Sequence, residues 1–181
     1  MSAFALSQLL IGVAFVIDMA SFQFRQKRHV LMCLAFAASL IGTHFLLLEI
    51  YTAAVLGFVA AARFITALFT QSRRLYLVFV AAVLINAWFT WAGLLSALGT
   101  LGALLSTTAA FSGTDQRFRL VMMASSIIWV LHNSLAGSPA ALALECVFLG
   151  SNMVGYYRFY LRPGRAQVVD SPKPEEPQDS R

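Results

Sequence analysis

Three ionisable side chains lie in the same half of long apolar segments of the chain, where a charge is costly and calls for a function or a partner. Glu145 lies about 9 Å from one end of its segment, counted at the helical rise, and His44 and His132 lie at nearly the same depth. Glu49 stands at a segment boundary on the same side. Because histidine titrates near neutral pH and a partly buried glutamate can approach it, we expect an outer gate or proton relay here.

Two other interpretations of these histidines stay open. Imidazole and carboxylate groups could bind a metal such as Zn²⁺, but no HExxH motif or Cys/His ligand run accompanies them, and we assign no metal site. Alternatively, each histidine donates one hydrogen bond to a neighbouring helix and stays neutral, which joins packed helices. The chain has no Ser-His-Asp constellation, phosphate-binding loop or haem-attachment motif, so we predict no catalytic residue and no cofactor.

Polar side chains also follow two helical faces. Glu145, Asn152 and Tyr156 share one face of the last apolar segment, because their spacing matches the helical repeat. Ser125 and Trp129 share a face with His132 in the preceding segment. An unpaired acid facing lipid would be unfavourable, so we expect these residues to line a polar cavity, with Asn152 near the middle of the membrane, as a substrate pathway.

Asp18 and Arg63 lie nearer the opposite ends of their segments. Arg63 is the one basic residue outside the predicted loops, and its long side chain can reach toward the level of Asp18. An Asp18–Arg63 ion pair would neutralise both charges. We expect this pair to act either as a structural clamp or as an inner gate.

The elements that position these residues follow from the composition. Of the 181 residues, 59% are hydrophobic and 12% are charged, whereas a soluble domain carries about 25% charged residues. A soluble enzyme is thereby excluded, and the continuous apolar runs are typical of spanning helices rather than of an alternating β-barrel. Segments of about 20 apolar residues are long enough to cross a bilayer, and seven are predicted, near residues 4–22, 30–48, 51–71, 74–92, 94–112, 119–137 and 139–161.

The basic residues predict the orientation of these spans. Of the thirteen Lys and Arg residues, twelve follow spans one, three, five or seven, namely Arg25, Lys27, Arg28, Arg73, Arg74, Arg117, Arg119, Arg158, Arg162, Arg165, Lys173 and Arg181. The positive-inside rule then places the N-terminus on the outer side of the membrane and the C-terminus in the cytoplasm. Trp88 and Trp91 would lie at the outer interface. The basic charge therefore orients the chain in lipid, and no exposed domain suits nucleic acid.

An internal repeat is the second organising feature. With a shift of 88 residues, His44 coincides with His132, and the basic loop after span one coincides with the loop after span five. We therefore predict an all-α polytopic membrane protein with seven transmembrane helices in a 3+1+3 parallel-repeat arrangement. Residues 1–162 would form a single transmembrane domain, with repeat one at 1–72, a linker helix at 73–92 and repeat two at 93–162. Residues 163–181, rich in Pro, Glu and Ser, would be a disordered cytoplasmic tail.

Three stretches carry a family resemblance: residues 41–48 (IGTHFLLL), residues 62–68 (ARFITAL), and Trp129-Val130-Leu131-His132-Asn133 with Ala136-Gly137-Ser138. They resemble the YgjV family of bacterial inner membrane proteins over nearly the whole chain to about residue 160. The architecture is similar to the SWEET/SemiSWEET (MtN3-like, PQ-loop) superfamily of small-solute carriers. That likeness implies substrate contact by an asparagine on the third helix of each repeat. Asn152 matches this asparagine, whereas Ala60 stands in the first repeat.

The sequence thus predicts a small-solute transporter of the inner membrane that works by alternating access, with proton coupling as an option. Its expected partners are the lipid bilayer and a small polar solute, and the oligomeric state stays open. One alternative is an accessory or structural membrane protein that binds a partner without transport. Another is an intramembrane enzyme that acts on lipid, with the glutamate and histidine cluster open to the bilayer.

Overall fold

The computed structural model describes residues 2–49, 51–137 and 139–162. Over these residues the chain forms seven α-helices and no strand, as the apolar segments predict. The tail predicted for residues 163–181 lies outside the described residues. The helices are α1 (Ala3–Ser21), α2 (Lys27–Leu47), α3 (Tyr51–Phe69), α4 (Arg73–Phe89), α5 (Leu94–Ala110), α6 (Asp115–Leu135) and α7 (Pro139–Tyr156), the last continued by a π-helical turn, Tyr157–Leu161.

Short polar signals set the helix ends. The hydroxyls of Ser2 and Thr114 each accept a hydrogen bond from a backbone N–H in the first turn of α1 and α6, which satisfies a donor that has no intrahelical partner. Gly93, with φ +81°, enters α5 in a backbone conformation that favours glycine. Pro139 begins α7 at a position where its missing N–H costs nothing. These residues therefore explain where α1, α5, α6 and α7 begin.

Three helices, α1, α2 and α6, have both the length and the hydropathy of a membrane span. The segment Ala54–Phe69 of α3 and the whole of α5 (Leu94–Ala110) are apolar but shorter. Many large apolar side chains face outward, such as Trp88 and Phe89 near the end of α4, which are 83% and 81% exposed. Such surface is typical of side chains that contact lipid acyl chains.

The helices pack mainly against their neighbours in the chain. Helix α2 packs between α1 and α3, and α6 packs between α5 and α7, while α4 packs on α5. We call α1–α3 the N-terminal unit and α5–α7 the C-terminal unit. The close approach of α2 to α3 depends on small residues: a Cβ on Gly57 would lie 2.8 Å from the Cα of Gly42, so the backbones touch here.

The two units meet where α1 contacts α7 and where α3 contacts α5. A cluster of buried apolar side chains extends across both units near the α1–α2 and α5–α6 turns. In it the ring of Phe22 stacks on Phe118 at 6.2 Å between centroids and meets Phe148 edge-on at 4.7 Å. This cluster closes one end of the bundle and leaves a cavity further along the helices.

Candidate functional site

The main cavity of the molecule lies between the two units. It has a volume of about 780 Å³ and is lined by residues from all seven helices, within the range of small-molecule binding sites. We call it the central cavity. Most of the lining is apolar, and α4 contributes Phe79, Val83 and Asn86 on one side. Its ionisable lining residues are Asp18, Arg63, His132 and Glu145.

Arg63 is the basic side chain of the cavity, and it lacks a carboxylate partner. Its Nη1 donates a hydrogen bond to the hydroxyl of Thr107 on α5, at 2.9 Å. That hydroxyl donates in turn to the carbonyl of Ala103 at 2.7 Å. The Nε of Arg63 is buried and has no hydrogen-bond partner. Within the described part of the chain no acidic oxygen lies within 4.0 Å of this guanidinium, so its charge is balanced by no ion pair.

Asp18 and Glu145 bring two carboxyl groups to the same cavity. Asp18 lies near the end of α1 and Glu145 in the second turn of α7, and both line the cavity. Ser126 on α6 lines the same cavity. Helices α1 and α7 run side by side, with the hydroxyl of Ser151 donating to the carbonyl of Met19. This pairing of helices brings a residue near the end of α1 to one near the beginning of α7.

Beyond the cavity, the turn between α1 and α2 is bound to the α5–α6 region by a buried arginine. Arg119 is completely buried, and its Nη1 donates to the carbonyl of Phe22 at 2.9 Å, while Nη2 donates to the carbonyl of Phe24. The guanidinium also lies 5.2 Å from the centroid of the Phe159 ring. Hydrogen bonds from a charged donor are stronger than neutral ones, so Arg119 fixes the two units to each other.

Lys27 makes the reciprocal contact from the N-terminal unit. Its backbone N–H donates to Oδ1 of Asp115 at 3.1 Å, and its ammonium group donates to the carbonyl of Ser112. The side chain of Lys27 is 6% exposed. We call these hydrogen bonds of Lys27 and Arg119 the turn-to-turn contact. Lys27 and Asp115 are 88 residues apart, which equals the shift of the internal repeat predicted from the sequence.

Comparison with known proteins assigns the chain to a family. A sequence model for a family described as bacterial inner membrane protein, Imp-YgjV, matches residues 5–163. The chain belongs to the YgjV family of bacterial inner membrane proteins. It is 30% identical over 160 residues to the inner membrane protein YgjV of Escherichia coli strain K12, covering 88% of this chain and 87% of that protein. No solved structure matches the chain. The membrane location expected from the composition is thereby confirmed.

The central cavity of this YgjV-family protein contains several of the residues that the sequence singles out. Glu145, Trp129, Ser125 and His132 all line it. The hydroxyl of Ser125 donates to the carbonyl of Gly102 on α5 at 2.9 Å, and Trp129 packs edge-on against His132 at 5.1 Å between ring centroids. The polar face predicted for α6 and Glu145 on the predicted face of α7 therefore line the same cavity.

Other predicted site residues lie outside the lining of the central cavity. Asn152 is fully buried outside the cavity lining, and its Nδ2 donates to the carbonyl of Arg119 at 3.0 Å, while its Oδ1 has no hydrogen-bond partner. Tyr156 also lies outside the lining, and its hydroxyl accepts a hydrogen bond from Gln116 at 3.0 Å. These two residues of the predicted pathway belong to the surroundings of the turn-to-turn contact. The reason is that the C-terminal half of α7 faces α1 and α6.

The two histidines are not equivalent in their surroundings. His44 is 7% exposed, and its Nδ1 donates to the carbonyl of Ser7 at 2.8 Å, which binds α2 to α1 within one unit. His132 faces the cavity, with its Nδ1 3.2 Å from Oδ1 of the adjacent Asn133. Glu49 lies at the end of α2 with φ +60° and is absent from the cavity lining. The described residues contain no group of three His, Cys, Asp or Glu side chains arranged to hold a metal ion.

Sequence reasoning missed the turn-to-turn contact. The charge pattern places Lys27 and Arg119 among the basic residues that orient the chain in lipid, yet both are buried and bonded to backbone carbonyls. The expected Asp18–Arg63 ion pair is absent among the described residues, and Arg63 bonds to Thr107 instead. The repeat contained a signal for the missed contact, because a shift of 88 residues superposes Lys27 on Asp115.

Proposed function

We propose that this protein is a small-solute transporter of the bacterial inner membrane that works by alternating access. In this proposal all seven helices cross the membrane, and α1–α3 and α5–α7 are two parallel, SWEET-like repeats joined by α4. The observation that carries the proposal is the central cavity: it is bordered by both units and holds ionisable side chains without ion-pair partners. A packed structural protein would be expected to fill or neutralise such a space.

The two ends of the cavity support an alternating mechanism. The lining reaches Thr90, Leu95 and Ser96 at the α4–α5 connection, whereas Arg119 and Phe22 at the opposite end are completely buried. By the positive-inside rule the α1–α2 and α5–α6 turns are cytoplasmic. The conformation would then be open toward the periplasm and closed toward the cytoplasm by the turn-to-turn contact, with the N-terminus periplasmic and the C-terminus cytoplasmic.

The proposed roles of the residues follow from their positions. Glu145, Ser125, Trp129 and His132 line the pathway. Arg63, together with Asp18, contacts the solute rather than closing the inner gate. The inner gate is the turn-to-turn contact, which must break for the cavity to open to the cytoplasm.

Transport into proteoliposomes tests this function. The purified protein is reconstituted, and uptake is screened over amino acids, organic acids and sugars. We expect at least one solute to accumulate faster than in empty vesicles. The variant Ala60→Phe, which places a ring in the cavity lining, should abolish uptake without lowering the amount of folded protein. Ala62→Phe is the matched control, because Ala62 is exposed on the same helix outside the lining.

Absence of uptake across the whole panel would contradict the proposal, as would equal uptake by Ala60→Phe and wild type. The first result would favour an accessory role in which the protein binds a partner without transport.

A further inference from the structure

Among the described residues, the charged side chains of the central cavity form no ion pair, and this points to the chemistry of the solute. Arg63 offers a guanidinium whose one hydrogen bond to a side chain goes to the neutral hydroxyl of Thr107, and whose buried Nε has no partner. An arginine charge held away from water requires an anion or a set of acceptors to offset its desolvation. The planar guanidinium matches a carboxylate through two parallel hydrogen bonds.

The two carboxyl groups of the cavity also have no basic partner among the described residues. Asp18 and Glu145 line the same cavity, and within the described ranges neither carboxyl has a Lys or Arg nitrogen within 4.0 Å. A mostly apolar cavity does not easily hold two ionised carboxylates, so we take the two groups to carry one negative charge between them. That single negative charge is suited to an ammonium group.

We propose that the solute is a zwitterion of amino-acid size, with its carboxylate bound by Arg63 and its ammonium bound between Asp18 and Glu145. This inference rests on the proposed transport function and specifies its substrate class. One guanidinium and one shared negative charge then meet one carboxylate and one ammonium, and the occupied cavity is neutral. Neutrality matters because a net charge in the middle of the membrane carries a high cost.

The apolar part of the lining predicts the side chain of the solute. Phe15, Leu56, Val59 and Phe148 belong to this part, and their side chains offer dispersion contacts but no hydrogen bonds. An apolar side chain gains from such contacts, whereas a hydroxylated or charged one would lose its hydration. Leucine and phenylalanine are therefore expected to bind better than serine or glutamate.

Ligand-dependent thermal unfolding of the full-length protein in detergent micelles tests the inference with three compounds that share one skeleton. L-Leucine carries both charges, L-leucinamide lacks the carboxylate and 4-methylpentanoate lacks the ammonium. A ligand that binds the folded state raises Tm. We expect L-leucine at millimolar concentration to raise Tm by about 3 °C or more, and neither analogue to do so at the same concentration.

Substitutions identify which group binds which charge. Arg63→Met should raise the leucine concentration needed for half of the Tm shift at least about tenfold, since a buried charged contact is lost. It should also remove the preference for leucine over leucinamide, an effect that a general loss of stability would not produce. Arg74→Met, at an exposed position of α4, is the control and should leave both values unchanged. Asp18→Asn combined with Glu145→Gln should remove the preference for leucine over 4-methylpentanoate.

Three results would overturn the inference: a Tm shift by 4-methylpentanoate or leucinamide equal to that by leucine, unchanged selectivity in Arg63→Met, or no shift by leucine, phenylalanine and alanine. Its failure is distinguishable from failure of the transport proposal. Uptake of a sugar or a simple organic acid into proteoliposomes, blocked by Ala60→Phe, would leave transport standing while excluding a zwitterionic substrate.

Discussion

At the scale of single residues, the same side-chain type has opposite roles at two places in this protein. Arg119 is surrounded by acceptors, since two backbone carbonyls and the face of Phe159 meet its guanidinium. Arg63 meets one hydroxyl and the ring of Phe64, donates to no backbone carbonyl among the described residues, and keeps a buried nitrogen without a hydrogen bond. A satisfied buried charge stabilises one arrangement of the helices, whereas an unsatisfied one is a position for a ligand. The first residue is therefore assigned to structure and the second to binding.

The structural role of Arg119 gives a prediction at this scale. Arg119→Met leaves the carbonyls of Phe22 and Phe24 without these donors in a buried place, which should lower the free energy of unfolding by about 2–4 kcal/mol. Arg117→Met, two residues earlier in α6 and exposed, should change it by less than about 0.5 kcal/mol. Thermal or denaturant unfolding of both variants in the same detergent measures the difference. Equal stabilities would show that Arg119 does not hold the units together.

At the scale of the elements, the contact between α1 and α7 depends on the absence of a side chain. A Cβ on Gly155 would overlap the carbonyl oxygen of Phe22 and lie 2.6 Å from Nη1 of Arg119. Gly150 lies on the same helix, and a Cβ there would meet no atom within 4 Å. Glycine in the middle of a helix lowers its stability, so Gly155 is explained by the close approach of α1 and of the arginine. Packing between helices, rather than the propensity of α7, determines this residue.

These two glycines form a matched pair for a second prediction. Gly155→Ala should separate α7 from the α1–α2 turn and lower the free energy of unfolding by about 1–3 kcal/mol, as overpacking does. Gly150→Ala should raise it by up to about 1 kcal/mol, because alanine is the better helix former. The measurement is the shift of Tm for each variant against wild type. A stabilising Gly155→Ala would mean that the two helices are further apart than described.

At the scale of the whole molecule, the two units contact each other closely at one end and diverge around the cavity toward the other. The turn-to-turn contact and the apolar cluster around Phe22 occupy the closed end. At the other end the cavity lining includes Ser96 at the beginning of α5. A rocking motion of one unit against the other could exchange which end is closed, because the contacts that close it are confined to the turns and to the apolar cluster around Phe22.

Accessibility of introduced cysteines tests this arrangement in the membrane. In a background with the native cysteines removed (Cys33→Ala with Cys146→Ala), Ser96→Cys should react with a membrane-impermeant thiol reagent added from the periplasmic side. Ser112→Cys, buried beside Lys27, should stay unreactive from both sides in this conformation. Labelling of Ser96→Cys from the cytoplasmic side alone would reverse the proposed orientation, and absence of labelling from either side would contradict an open outer end.

The predicted helix boundaries agree with the structure to within a few residues, because they rest on local properties. A run of about 20 apolar residues has few ways other than helix to satisfy its backbone in lipid, and Pro139 or Gly93 marks an end through its own backbone preference. The seven helices and the membrane environment could therefore be predicted from the sequence. The cavity-facing positions of Trp129, Ser125 and Glu145 were also predictable, since the helical period places them on polar faces.

The partners of those faces were decided by the tertiary structure alone. The side chain opposite Arg63 is Thr107 rather than Asp18, and Asn152 faces the backbone of α6 rather than the cavity. The pattern of charge along the chain assigned Lys27 and Arg119 to loops that orient the protein in lipid, but the contact between two turns 88 residues apart buries both side chains. Hydrophobic periodicity reports which face of a helix avoids lipid or water. It contains no information about the rotation and sliding of one helix against another, and these are fixed by side-chain packing and hydrogen bonds between distant parts of the chain.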